Sequence, residues 1–338
     1  MENLHDISED EFGKASPSVR LALRGLIQER VPTGSNMLEQ TELPSLSEIN
    51  VPSISSAAVL VELKTSCWDG KVTDEDISQQ VAHDNNAESQ AGTYTKNLFA
   101  GNKLLASIKS IIGETRNHIH YRTTMPWIDR GPRLCPQAVY PDYINKVTAK
   151  KQMFDKKVHE FLDSYDFYVS EQQAVLGDMF RAHEYPDRSV LQDKFSLEVL
   201  THPVPSGDDF RVDIGTQALQ VAKEGYDKFI QETYAAGMNR VLGELKDYLG
   251  KMVDRLGETP DGEQAIFRNT LISNVLDATK LVRSCNVIGN TQISALCDRL
   301  ENELLRVTPE ALRDSPYLRA QTKSMTQNVI DNLPSLEI

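Results

Sequence analysis

Two histidines, His118 and His120, are the best metal-ligand pair in the sequence. On a strand they share a face. On a helix they point about 200° apart and cannot share an ion. The surrounding apolar spacing reads as helix, so a metal site is not expected. His159-Glu160 and His183-Glu184 lack a second histidine at ligand spacing and read as surface pairs. Glu62-x-Lys64 has the form of half of a metal-dependent nuclease centre. That chemistry also needs an upstream acid to hold Mg²⁺, and upstream acids occur only in a polar linker. A solvated strand face is the simpler reading. Asp208, Asp209 and Asp213 crowd a Pro/Gly-rich turn, where turn chemistry alone favours Asp. No Gly-rich phosphate loop, hydrolase elbow, HExxH helix or CxxC pair is present. Cys67, Cys135, Cys285 and Cys297 match no zinc or redox spacing and read as reduced, mostly buried thiols. No cofactor and no catalytic residue are expected.

Charge offers a different kind of site. The 338 residues carry a net charge of -13, which argues against indiscriminate binding to nucleic acid or anionic membrane. Yet from Lys96 to Lys157 there are twelve Lys/Arg against four acids, a net of +8. Within it, Lys146, Lys150, Lys151, Lys156 and Lys157 fall on the first turns of a long helix. Arg122, Trp127, Arg130 and Arg133 precede them in a segment with four prolines. Arg122, Trp127, Arg130, Arg133, Lys146, Lys150, Lys151 and Lys157 are therefore the candidate contacts for a partner or a phosphate backbone. A solvated helix face, or a basic segment packed on acidic ones within the fold, is the competing reading.

The elements that must position these residues are mostly helical. Ser16-Pro17 starts a short helix with Val19, Leu23, Leu26 and Ile27 on one face. A polar linker follows to Ser56. Val59, Val61 and Leu63 alternate with Leu60, Glu62 and Lys64, as in a strand. Thr73 and Asp76 cap a short helix, and a helix is predicted from about Glu88 to His120. From Pro141 to His183, Val147, Phe154, Phe161, Tyr168 and Val175 recur every seven residues, a coiled-coil-like seam on a helix of roughly 60 Å. Phe195, Leu197 and Val199, then Phe210, Val212 and Ile214, alternate about a turn and predict a hairpin. A second long helix from Thr216 to Leu256 carries a seam from Tyr226 to Leu256. Asn286 to Asn290 break the helices that follow, and Thr308-Pro309 and Ser315-Pro316 start two more.

The expected fold is mainly α: a long antiparallel coiled-coil-like helix pair with a β-hairpin at its tip, plus a smaller helical bundle. Residues 1–56 form an N-terminal arm, 57–258 a core and 259–338 a C-terminal helical segment. No apolar run is long enough to cross a membrane, and the acidic start carries no basic-then-apolar leader.

Several spaced motifs together resemble one family. They are Val59-Leu60-Val61-Glu62-Leu63 with Trp68-Asp69-Gly70, Thr124-Met125-Pro126-Trp127 with Gly131-Pro132-Arg133-Leu134-Cys135-Pro136, Gly177-Asp178-Met179-Phe180 with Tyr185-Pro186, and Phe195 with Pro203-Val204-Pro205 and Asp208-Asp209-Phe210-Arg211-Val212. The chain from about Ala57 to Gly215 is similar to an uncharacterised helical family of tailed phages and mobile elements. Genes of that family often lie near MoxR-like or cobaltochelatase-like AAA+ ATPases. The resemblance assigns no catalytic residue. It implies a phage-encoded, non-enzymatic adaptor in the cytoplasm of the infected bacterial host, acting on a protein partner such as an AAA+ ATPase or on itself as an oligomer. The alternative is a nucleic-acid-binding accessory protein of phage replication or recombination.

Overall fold

The computed structural model describes Ile49 and residues 51–206, 216–257 and 265–336. The chain is mainly helical with a small antiparallel sheet. Its elements are α1 (Val51–Ala57), β1 (Ala58–Ser66), β2 (Lys71–Asp74), α2 (Glu75–Asp84), β3 (Tyr94–Asn97), α3 (Lys103–Glu114), β4 (Met125–Pro126) and β5 (Arg133–Pro136). They continue with α4 (Tyr140–Asp163), α5 (Tyr165–Leu176), α6 (Arg188–Gln192), β6 (Ser196–Pro203), α7 (Thr216–Leu256), α8 (Thr270–Cys285), α9 (Thr291–Leu304), α10 (Pro309–Asp314) and α11 (Pro316–Asp331). The larger sheet has the order β4-β5-β1-β6, and β2 pairs with β3 separately. β1 meets β5 antiparallel, from Ala58 opposite Pro136 to Val61 opposite Arg133.

Contacts divide the chain into two compact units. One contains residues 122–140 and 201–338 with the chain before Glu62; the other contains 62–121 and 141–200. The expected break after residue 258 is therefore replaced by a division of the middle of the chain, with the C-terminal helices belonging to the same unit as α7.

In the first unit, α7 is the axis. Tyr234, Met238, Val241, Leu245, Leu249 and Met252 recur at steps of three and four and are fully buried. They pack against α8, which supplies Val275, Val282 and Cys285, and against α11, which supplies Leu318 and Val329. The Tyr234 hydroxyl donates to the Cys285 carbonyl at 2.9 Å. Gly237 lets the α7 backbone approach β4: a Cβ there would stand 2.4 Å from the Pro126 carbonyl oxygen. Pro at the first helical position, with Thr308 and Ser315 capping the amides of Ala311 and Leu318, starts α10 and α11 as expected. Asn286 holds the α8–α9 corner. Its amide donates to the Asn290 carbonyl, and its oxygen accepts from the Asn290 N–H, each at 2.8 Å. Asn239 pins the far C-terminal stretch, giving and receiving a bond with the Leu336 backbone.

In the second unit, α4 buries Val147, Phe154 and Phe161. Phe99 is the hub of an aromatic cluster, with its ring centroid 5.4–5.7 Å from Trp68, Phe161, Tyr165 and Tyr185. The seven-residue repeat does not make one continuous helix. Ser164 separates α4 from α5, and Gly177, with φ +52°, ends α5. Beyond the first break the repeat leaves the core, so that Val175 is 60% exposed.

The α7 seam is covered by α8 and α11 within its own unit, and α4 belongs to the other unit. A heptad pattern specifies that a stripe be covered, not by which helix. The first arm of the predicted hairpin is β6; its second arm and the three aspartates Asp208, Asp209 and Asp213 lie outside the described residues. So do the helix start at Ser16-Pro17 and the one at Thr259-Pro260.

One further expectation is corrected. The helix predicted from Glu88 begins only at Lys103, where Asn102 caps the Leu105 amide. Upstream, Tyr94–Asn97 is strand β3, held by register pairing with β2. The Pro-rich stretch from Thr124 holds two short strands: β4 lies at a sheet edge and Pro136 closes β5, both places where a missing N–H is tolerated.

Candidate interaction surface

α7 is 41 residues long, but its buried residues begin only at Ile230. From Thr216 to Phe229, about four turns and roughly 21 Å, no side chain is buried. This half is nevertheless amphipathic. Leu219, Ala222, Tyr226 and Phe229 follow one another at three, four and three residues, continuing the register of the buried half. Phe229 is 48% exposed, Leu219, Ala222 and Tyr226 are half-buried, and Val221, turned away from the stripe, is 65% exposed. The Tyr226 and Phe229 rings lie 6.1 Å apart. Single exposed apolar residues are ordinary, but a continuous helical stripe marks a surface that something covers. Where burial begins, the Gln231 side-chain amide donates to the Ile49 carbonyl at 2.9 Å, and α1 packs alongside. The sequence seam was read only from Tyr226. The two upstream members, Leu219 and Ala222, were legible from the same spacing.

The eight contact residues predicted from the sequence divide between the two units. Arg122, Trp127, Arg130 and Arg133 fall in the first unit, and Lys146, Lys150, Lys151 and Lys157 in the second. Trp127 is in the hydrophobic core, 7% exposed. Arg133 braces β5, donating to Thr124 Oγ1 at 2.7 Å and to the Thr124 carbonyl at 2.6 Å. Arg122 pairs with Asp277 at 3.2 Å. Arg130 is exposed at a tight turn with φ +57°. Each of the four lysines meets an acid: Lys146 with Asp142, Lys150 with Glu114 and Lys157 with Glu160, each at 2.6 Å, and Lys151 with Asp155 at 3.1 Å. Lys150 and Lys157 hold the carboxyls of Glu114 and Glu160 below the usual carboxylate range. Asp142, Glu114 and Asp155 are already counted in the net of +8. Among the described residues, acids from outside the stretch meet only Lys157, through Glu160, Arg122, through Asp277, and Lys96, through Asp74 and Glu184.

The most buried charge is one the sequence did not flag. Lys96 on β3 is 1% exposed. Its ammonium donates to Asp74 Oδ2 at 3.1 Å and to the Met179 carbonyl at 2.8 Å. Glu184 Oε2 lies 2.8 Å away as an ion contact outside hydrogen-bond angles. Burial alone would lower the lysine pKa; the two carboxylates outweigh it and raise it. Asp74 also caps α2 through the Ile77 amide, which with Lys96 keeps its carboxyl low. With two protons donated to oxygen and a second carboxylate in ion contact, Lys96 is a tie between β3, the cap of α2 and the short turns near Met179 and Glu184. It is not poised as a base or nucleophile.

The histidine pair divides as a helix requires. His118 is exposed, and His120 is buried with Nδ1 2.9 Å from the Tyr143 hydroxyl. They sit in a π-helical stretch, Thr115–His120, that continues α3. Among the described residues no group of His, Cys, Asp and Glu is placed to hold a metal ion, and no helix is long and apolar enough to cross a membrane. Glu62 and Lys64 lie 4.0 Å apart on a partly solvated strand face. A cavity of about 320 Å³ beside α2, lined by Val81, Ala82, Ala91 and Tyr94 among others, is mostly apolar and carries no ionisable group but the Tyr94 phenol.

No family model, curated protein or solved structure matches the chain.

Proposed function

We propose that the protein is a non-enzymatic interaction protein that presents the first turns of α7 to a protein partner. The observation that carries this is the stripe Leu219, Ala222, Tyr226 and Phe229, whose first three members are only half-buried, Tyr226 against the core, and whose last, Phe229, is 48% exposed. An apolar stripe at three- and four-residue spacing is the form in which a groove or a second helix recognises a helix. The stripe is also the natural seam for the coiled-coil pairing expected from the sequence, here with the partner's helix. The phage and mobile-element resemblance supplies the class of partner, a MoxR-like AAA+ ATPase in the cytoplasm of the infected host.

The test compares a tagged wild-type chain with Phe229→Asp, both recovered from infected cells. A partner that accompanies only the wild type, and that rebinds it when both are purified, supports the proposal. Identical recoveries from the two chains, or a monomeric wild type that retains nothing, refute it.

A further inference from the structure

We infer that the cavity beside α2 is a binding site for a small organic ammonium ion, whose hydrocarbon body it encloses while the charge stays at the rim. The site lies wholly in the second unit and is independent of the α7 stripe. Its volume is about 320 Å³, and Val81, Ala82, Ala87, Ala91 and Tyr94 give it a mostly apolar wall. An apolar cavity of roughly 150 Å³ is enough for benzene, so this one accommodates a bicyclic aromatic ring. The two large side chains of the wall are not packed away: Val81 is 51% exposed and Tyr94 39%. The polar groups that α2 brings to the wall are engaged within the fold. Ser78 Oγ donates to the Asp74 carbonyl at 2.5 Å and accepts from the Tyr94 N–H at 2.8 Å. The Asn85 side-chain amide donates to the Val81 carbonyl at 2.8 Å. A body lying against this wall finds few hydrogen-bonding groups and must itself be apolar.

Charge fixes the other end of the ligand. Residues 72–95 contain Asp74, Glu75, Asp76, Asp84 and Glu88 and no Lys or Arg. Lys96 answers Asp74, and His83 lies beside Asp84. Glu75 and Glu88 are exposed, and among the described residues no cation pairs with either. Glu75 stands one turn before Ser78 on the same face of α2, and Glu88 follows Ala87 in the loop that closes the cavity. The partly exposed Tyr94 ring adds an aromatic face, which attracts an ammonium group. A carboxylate ligand would meet like charge at the same rim.

Titration of the full chain with tryptamine, followed through the amide NMR signals of Gly92 and Thr93 in the cavity wall, tests the site. Tryptamine should shift these signals saturably. It should bind at least about fivefold more tightly than indole-3-propionate, which carries the same ring and the opposite charge. Ala91→Leu fills the cavity from an exposed loop position. It should weaken tryptamine at least about tenfold by taking the place of the ring, with the amide spectrum unchanged elsewhere. Glu75→Gln/Glu88→Gln leaves the wall intact and should bring the two probes to within about twofold of each other. Absence of a saturable shift with tryptamine overturns the inference. So does tryptamine binding that Ala91→Leu leaves untouched, or equal affinity of the wild type for the two probes.

Discussion

At the scale of single residues, buried charge separates structure from chemistry most sharply. Lys96 meets two carboxylates and a carbonyl with almost no solvent access. Replacing it with Met removes the cation that Asp74 and Glu184 share, leaving Arg181 as the more weakly acting cation near Asp74. Loss of one partner from a buried ion cluster costs about 3 kcal/mol, so Lys96→Met should lower stability by about that much at neutral pH in denaturant titration. The pH dependence gives the sign. In the wild type the lowered Asp74 carboxyl contributes stability that is present above the ordinary carboxylate range and lost as pH falls through its depressed value. In Lys96→Met the two acids repel, so acidification to about pH 4, within the ordinary carboxylate range, should narrow the deficit. A deficit that is the same at both pH values would place the role of Lys96 in packing of its stem. Sequence gave no hint of this cluster, because its members are scattered over Asp74, Lys96 and Glu184, and only the pairing of β2 with β3 brings the first two together. Trp127 and Arg133 were read as recognition residues because aromatic and guanidinium groups in a Pro-rich stretch serve packing and binding alike. Burial decides between the two, and it is a tertiary property.

At the scale of elements, local chemistry wrote the helix starts plainly. Ser or Thr followed by Pro marks α10 and α11, the Asn286–Asn290 break separates α8 from α9, and the bounds of α7 follow its seam. The stretch before α3 was hidden because Tyr94 and Leu98 keep helical spacing while forming strand β3 and the turn after it. In the 43-residue run from Pro141 to His183 the seven-residue period crosses the break at Ser164, which no proline announces, and ends at Val175, just before the break at Gly177. Gly237 is the least conspicuous determinant of α7. Helix propensity favours Ala over Gly by about 1 kcal/mol, yet a Cβ at 237 would meet the backbone of β4. Gly237→Ala should therefore destabilise by about 2 kcal/mol, the cost of forcing an extra carbon into a packed contact. A rise in melting temperature would show that α7 and β4 can separate at no cost.

Across the whole molecule, the sequence revealed the helical class and the reduced thiols, but not the division into two units. That division depends on chain crossings within β1 and β6, which follow strand pairing rather than composition. The thiols give a test of the core as a body. Burial pushes Cys135 and Cys285 up to about 12 and Cys297 to about 11, and all three are free. Because their folded values are raised, their contribution is complete below the ordinary thiol value near 9. It is lost as pH rises through the folded values, with the unfolded chain ionising first. Stability should fall steadily from about pH 9 upward, and thiol reagents should label the half-buried Cys67 well before the other three. Equal labelling of all four in the native protein would contradict the packing of the first unit.

The central claim is that the first turns of α7 are made to be gripped. Its most direct test is a binding titration of the purified chain against the proposed partner, a MoxR-like AAA+ ATPase, wild type beside Phe229→Asp. An aromatic anchor at an interface centre contributes about 2 kcal/mol or more, so the substitution should weaken binding by at least about thirtyfold. Equal affinity for the two chains, or no binding by either, would contradict the account.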